Sequence, residues 1–539
     1  MSASAVVSAA GGAAKAAPGA PGGDAPGQPA TDALDPSAPI DFAPGLERAF
    51  SSIPEERSYR VREVRGSLPA WLRGTCYWNG PARFERGGQR YGHWLDGDGM
   101  VAALRFDDDG AHFTNRFVRS AKWVAEEEAG CALFRTFGTG FAGDRLAPRG
   151  LALESPVNVS VIPFGAPPGA APGTAPGGSG CAALLACGEQ GLPWELDPVT
   201  LETRRPFTFS GALNPVSPFA AHVKIDPVSG ELWNFGLSYS HHQPALHLYR
   251  FSPGGALLAR RRVPLDLPVS MHDFLLAPRH AVFHVSPYRL DMEALAAGSN
   301  LHKALRWEPA SRGSELIIVA RGDLARHGAD QQVVLRVPVG AGYCLHGIGA
   351  GEDAAGRLVL DWLELDRPVY DEYQDLPDLF RTIGPGRPVR LVVDPDRGEL
   401  VERLTLDYEL APDFPVVAPR SDGRPYDDFW MLGVSAAGRA GRKFYDQLVH
   451  GDWRRPGAVP AVWQAPPGYY LAGEAALAPH PDGGRGGALI CPLFDGTTGE
   501  SGFLIFDAGD ITAGPRAELR LEAPIPPAFH AAYAPAPAA

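Results

Sequence analysis

The sequence predicts an all-β protein. Short runs alternate with period two, Asp/Pro/Gly turns separate them at close intervals, and helical periodicity is scarce. Leu404, Leu406, Tyr408 and Leu410 alternate with Arg403, Thr405, Asp407 and Glu409, as in a strand with one buried face. Leu519 and Leu521 repeat the pattern between Glu518, Arg520 and Glu522. Turn signals stand at 107–110, 197–198, 226–230, 252–255 and 394–398, mostly between apolar, β-rich runs. The clearest helical signal covers 292–307. Many hairpins in a row suit a sandwich, a barrel or a propeller, and without a clean internal repeat periodicity does not choose among them.

Composition narrows the function classes. The 539 residues are 45% hydrophobic, enough for a sizeable core, and the formal charge of −13 argues against nucleic acid, which requires a basic footprint. Six scattered cysteines form no CxxC pair and read as reduced, cytoplasmic thiols. No apolar run reaches the roughly 18–20 residues of a membrane span. Residues 1–43 are mostly Ala, Gly, Pro and Ser, a composition expected of a disordered tail preceding one domain at 44–539. A second such stretch, 165–180, reads as a long loop between strands.

The most informative stretch is 79–100, NGPARFERGGQRYGHWLDGDGM. Its DGDG end could belong to a calcium loop, but the twelfth position counted from Asp96 holds Asp107 rather than the bidentate Glu such a loop needs. The whole block resembles the amino-terminal signature of the carotenoid cleavage oxygenases, with Trp78 where that family usually has Arg. The resemblance implies a seven-bladed β-propeller with capping loops and short helices. Some ~490 residues then give ~70 per blade, against ~40–45 in the smallest propeller repeats, leaving length for a lid.

Most of the fifteen histidines need no special role. Four stand in contexts that resemble the family's metal-ligand motifs: His222 in AHVKIDPVSGEL, His272 in SMHDFLL, His346 in CLHGIGAGE and His530 in IPPAFH. Gly349 and Gly351 depart from the family's Asn and Tyr, and Ala531 from its Gly. The resemblance implies that these four imidazoles bind one Fe(2+), with O2 as co-substrate, unlike the two-His-one-carboxylate site of many non-haem oxygenases. His241, His242 and His247 lie outside any such motif and read as structural or exposed.

A ligating imidazole usually donates its other N–H to a carboxylate, carbonyl or water. The resemblance assigns that part to Glu189 and Glu474, and to Asp413 in DFPVVAPR, where the family has Glu. An Asp is one methylene shorter, so the expectation is a shifted histidine or a bridging water. Val157 falls where many members carry a Thr close to the iron, and it reads equally well as a core valine.

No GxSxG elbow or P-loop is present. Gly138, Gly140 and Gly143 spell GxGxxG, but Pro148 and Gly150 follow too soon for a Rossmann helix, so a loop is expected. The resemblance implies oxidative cleavage of a conjugated C=C bond of a carotenoid or apocarotenoid to two carbonyl products. Such an apolar small molecule implies a peripheral membrane contact at a tunnel mouth. Two alternatives remain. Lignostilbene-type members bind and deprotonate a 4′-hydroxyl with a Tyr and a Lys, and Tyr91 and Lys122 fall near those motifs. A propeller that binds apolar ligands without catalysis would carry no stoichiometric iron. Neither the cleaved bond nor the oligomeric state is written in any motif.

Overall fold

The computed structural model describes residues 40–51, 54–145, 155–165, 181–240, 242–322, 334–483 and 486–536. Seven antiparallel sheets, each of four to six strands, follow one another along the chain as the blades of a propeller. Two devices close the ring. Strand Ala531–Ala534 pairs with Gly74–Arg83, so the last strand becomes the inner strand of the first blade. Strand Glu63–Gly66 pairs with Ala517–Arg520, so an early strand becomes the outer edge of the last. Pairing both ends in this way ties the first and last blades, so the ring cannot open without breaking backbone hydrogen bonds.

The turns work as their residues dictate. In the 226–230 turn the Asp226 carboxylate accepts the amides of Val228 and Ser229 at 2.8 and 2.9 Å. Gly230 takes φ +70° and closes the turn on the Asp226 carbonyl. The 394–398 turn repeats this with Asp394 and Gly398. Asp197 does the same for Val199 and Thr200, but there Leu201 bears a φ of +60° that glycine would adopt more cheaply.

Two expectations are corrected. The 292–307 signal is two short helices, Met292–Ala296 and Leu301–Ala304, followed by strand Leu305–Trp307. Strand Glu399–Thr405 ends before the alternation does, although Leu406 and Tyr408 keep their burial beyond it. The expected tail 1–43 lies largely outside the described residues, as does nearly all of the 165–180 stretch. Its last positions, however, are packed: Ala43 is fully buried and Asp41 pairs with Arg442.

The longest described helix, Ala121–Ala129, gives no apolar stripe in sequence because its buried face is polar. Ser120 caps it by accepting the Trp123 amide, Gly130 ends it at φ +66°, and Lys122 and Glu126 are buried one turn apart. The GxGxxG segment is a loop, as expected.

Candidate metal centre

The inner segment of each blade lines the propeller axis, and six of the seven bring a histidine or a carboxylate to it. Around the ring these are His530 before Ala531–Ala534, His222 before Lys224–Ile225, and His272 before Leu275–Leu276. They continue with His346 within Tyr343–Glu352, Asp413 within Ala411–Val416, and Glu474 before Ala476–Pro479. Ser160–Phe164 is the seventh inner strand, and Glu189 follows the strand paired to it.

Local chemistry fixes each histidine. The Asn234 amide donates to the carbonyls of Ala220 and His222, tying the approach to its strand. His346 stands at a register shift between Cys344 and Gly347, where an irregularity re-aims the side chain. Gly351 departs from the family residue because the backbone of 424–425 passes 2.4 Å from where a Cβ would sit. The NGP block explains itself at the carboxyl end. Asn79 exchanges backbone hydrogen bonds with His530 and Phe529, and its side chain donates to the Val157 and Ser160 carbonyls. Trp78, the departure from the family's Arg, donates its indole N–H to the Glu474 carbonyl at 2.8 Å.

All four histidines are buried, and one ring nitrogen of each lies within 4.8 Å of the other three. The Nε2 atoms of His222 and His272 are 2.9 Å apart. The outer nitrogens face carboxylates. His346 Nδ1 is hydrogen-bonded to Asp413 at 2.5 Å and His530 Nδ1 to Glu474 at 3.3 Å. Glu189 lies 2.8 Å from His272 Nδ1, at ion-pair distance but without hydrogen-bond alignment. Asp413 thus meets its histidine directly, with no bridging water needed. The Tyr445 hydroxyl donates to its second oxygen at 2.8 Å, with Tyr373 at 3.4 Å.

Electrostatics favours a neutral ring at His222 and His346 and a charged one at His272. Burial, reinforced by the other three rings, holds the His222 pKa well below its ordinary value. Burial also lowers that of His346, against the pull of Asp413. Burial disfavours charged His272 as well, but the Glu189 carboxylate more than offsets it and the pKa is raised. Burial would raise the Asp413 pKa, and His346 with the Phe414 amide and Tyr445 reverses this to a net lowering.

These residues fit a metal ion. His346 Nε2 is buried without a hydrogen-bond partner, which a folded protein rarely leaves. Its other nitrogen is committed to Asp413, so a cation among the four rings would satisfy it. Four imidazole nitrogens suit a divalent transition metal. A cavity of about 150 Å³ adjoins them, lined by residues from all seven blades, among them Ser160, Lys224, Asp273, Gly347, Pro415 and Glu474.

The structure places the other sequence candidates too. Val157 is fully buried at φ +53° beside the DGDG block, and its carbonyl would lie 2.1 Å from a Cβ on Gly99. Its hydrophobic cluster includes Tyr77, Val101 and Leu184. Lys122 is wholly buried, and its three donors go to Asp98 at 2.7 Å, Glu126 at 2.8 Å and the Tyr91 hydroxyl at 3.4 Å. Burial alone would lower the Lys122 pKa, but the two carboxylates raise it. His241 is outside the described residues. His242 is exposed, and His247 is bonded to Ser238 within a blade.

Sequence reasoning missed Asp273, which directly follows His272, and Phe414, whose ring lies 5.7 Å from His346 and 5.3 Å from His530. The adjacency of Asp273 to His272 was the available signal. Nothing in the sequence marked Phe414.

A seven-bladed propeller that gathers four buried imidazoles on its axis, three of them facing carboxylates, is an arrangement that fits a metal-dependent oxygenase. The family model described as retinal pigment epithelial membrane protein matches residues 50–535. The chain belongs to that family, the carotenoid cleavage oxygenases, and is a dioxygenase by class. It is 30% identical over 500 residues to apocarotenoid-15,15'-oxygenase of Synechocystis sp., covering 90% of this chain and 95% of the relative. It is 25% identical over 497 residues to lignostilbene-alpha,beta-dioxygenase isozyme III of Sphingomonas paucimobilis, covering 88% and 93%. Among solved structures, cobalt-substituted Synechocystis apocarotenoid oxygenase superposes with a TM-score of 0.78 at 28% identity, covering 91% of this chain and 98% of that one.

Proposed function

We propose that His222, His272, His346 and His530 hold one Fe(II), and that the enzyme cleaves a conjugated C=C bond of an apocarotenoid or carotenoid. The convergence of four buried imidazole nitrogens, one of them without a partner, carries the metal part of this reading. When bound, the ferrous ion would supply activation of O2, whose two oxygen atoms end in two carbonyl products. The chain's own residues bind and position. Glu189, Asp413 and Glu474 orient the rings, and burial keeps His222 and His346 neutral with their lone pairs available.

Phe414, Phe529 and Trp94 form a contiguous aromatic wall beside the centre, at 6.4 Å from Phe414 to Phe529 and 4.6 Å from Phe529 to Trp94. In this reading the wall supplies the apolar, water-excluding side of the site. We include Val157 in the reading as a methyl-bearing neighbour that narrows the approach to the metal. Val157→Thr should then alter turnover without altering metal content.

The stilbene alternative requires a basic lysine free to take a phenolic proton. Lys122 has spent its three donors on its neighbours, and its pKa is raised rather than lowered. That favours the polyene. Product analysis over apocarotenals, carotenoids and 4-hydroxystilbenes tests the choice. Faster cleavage of a hydroxystilbene than of any apocarotenoid, lost in Lys122→Met, reverses it. A substrate of the polyene class partitions into bilayers, so a peripheral contact belongs to the reading. Among the described residues no helix is long and apolar enough to cross a membrane. Flotation with phosphatidylcholine vesicles tests the contact, and failure to float removes it.

A further inference from the structure

Three histidines face the carboxylates expected of them, while His222 has none assigned. Asp273 occupies that place. Its Oδ1 lies 3.4 Å from His222 Nδ1 and 2.8 Å from the Lys224 ammonium, and its Oδ2 accepts the Gly347 amide at 2.9 Å. The side chain is almost wholly buried. The contacts reach the blades on either side, His222 and Lys224 on one and Gly347 on the other. Asp273 adjoins His272 in sequence, Lys224 is two residues beyond His222, and Gly347 follows His346. One carboxylate therefore joins three of the four ligand-bearing segments.

We propose that Asp273, held by Lys224, is the positioning carboxylate of His222 and the tie that fixes three of the four imidazoles relative to one another. Charge explains the pairing. A divalent cation among neutral imidazoles brings two positive charges to a buried place, faced by Glu189, Asp413, Glu474 and Asp273. Lys224 returns one positive charge. It also keeps Asp273 ionised where an unpaired buried carboxylate would be costly. The ammonium and His222 Nδ1 share one oxygen of Asp273, which leaves the other for the backbone beside His346.

This inference rests on the metal-centre reading above, and its test uses Co(II) as the probe. Wild type, Asp273→Asn, Lys224→Met and Lys224→Arg are loaded with Co(II), and the visible ligand-field spectrum and metal loss to excess chelator are followed. Asp273→Asn should shift the cobalt bands and speed metal loss about 10–100-fold, the usual scale for such outer partners. Lys224→Met should move both in the same direction, and Lys224→Arg should restore them towards wild type. The thermal midpoints of metal-free Asp273→Asn and Lys224→Arg should stay close to that of the metal-free wild type, while Lys224→Met, which leaves Asp273 without its cation, should lower it.

Unchanged spectra and release rates in Asp273→Asn and Lys224→Met overturn the proposal. So does a lowered metal-free midpoint with an unaltered cobalt spectrum, which is the mark of a purely structural tie. If Lys224→Arg behaves like Lys224→Met, the charge argument is wrong. A wild type that takes up no Co(II) would instead end the metal-centre reading itself.

Discussion

Two buried polar clusters in this protein differ in what they leave uncommitted. Around Lys122 the ammonium is fully committed. The ammonium's three donors meet Asp98, Glu126 and Tyr91, and Asp98 also takes Arg86. Around the four histidines commitment is incomplete, with His346 Nε2 lacking any partner and two Nε2 atoms 2.9 Å apart. The first arrangement is what a protein does with charges it must bury. The second fits a cation held between the rings. A candidate site is recognised by unsatisfied donors and acceptors as much as by its residue types.

The largest expected contrast comes from deleting one member of each cluster. His222→Ala, His272→Ala, His346→Ala and His530→Ala should each lose bound iron and cleavage activity while the blades stay folded, read by metal analysis and circular dichroism. Full iron and activity in His530→Ala would remove it from the ligand set. Asp413→Asn should weaken iron binding or turnover about 10–100-fold, because the 2.5 Å contact to His346 Nδ1 loses its charge. An unchanged metal affinity would make Asp413 a structural carboxylate.

Lys122→Met should act on stability rather than chemistry. It leaves Asp98 to Arg86 alone and takes from Glu126 its ammonium partner, and breaking a buried pair typically costs about 3–5 kcal/mol. Urea unfolding should show that loss, while iron per folded chain is kept and apocarotenal turnover stays within a few-fold. The effect has a pH signature. Burial opposes ionised Asp98, but Lys122 and Arg86 outweigh it, so its folded pKa is lowered. Its contribution is fully present above the unfolded value of about 3.9 and is lost as pH falls through the lowered folded value. Wild type should therefore lose stability below about pH 4 more steeply than Lys122→Met. Parallel acid limbs would show that the pair is not what depresses Asp98. The smallest effect is expected from His247→Gln, since that ring is bonded to Ser238 within a blade. A fall in iron content there would contradict the choice of the four histidines.

The parts of this account legible in the sequence are those written as local chemistry. Asp-x-x-x-Gly turns appear where their side chains cap their own amides, and the motifs around His222 and His272 mark the starts of inner strands. The helix Ala121–Ala129 was hidden because its buried face is a Lys–Glu pair, which leaves no apolar period to detect. The 292–307 signal was over-read as one helix because apolar spacing cannot show the break at Gly298 and Asn300, the latter capping the second helix. Asp273 and Phe414 escaped for a third reason: their roles arise from contacts between blades, which only the closed ring creates.

Anaerobic Fe(II) titration of the metal-free chain, run beside His346→Ala and Lys122→Met, tests the central claim most directly. The account predicts one Fe(II) per chain for wild type and for Lys122→Met, and none held by His346→Ala. Stoichiometric iron in His346→Ala, or none in wild type, would contradict it.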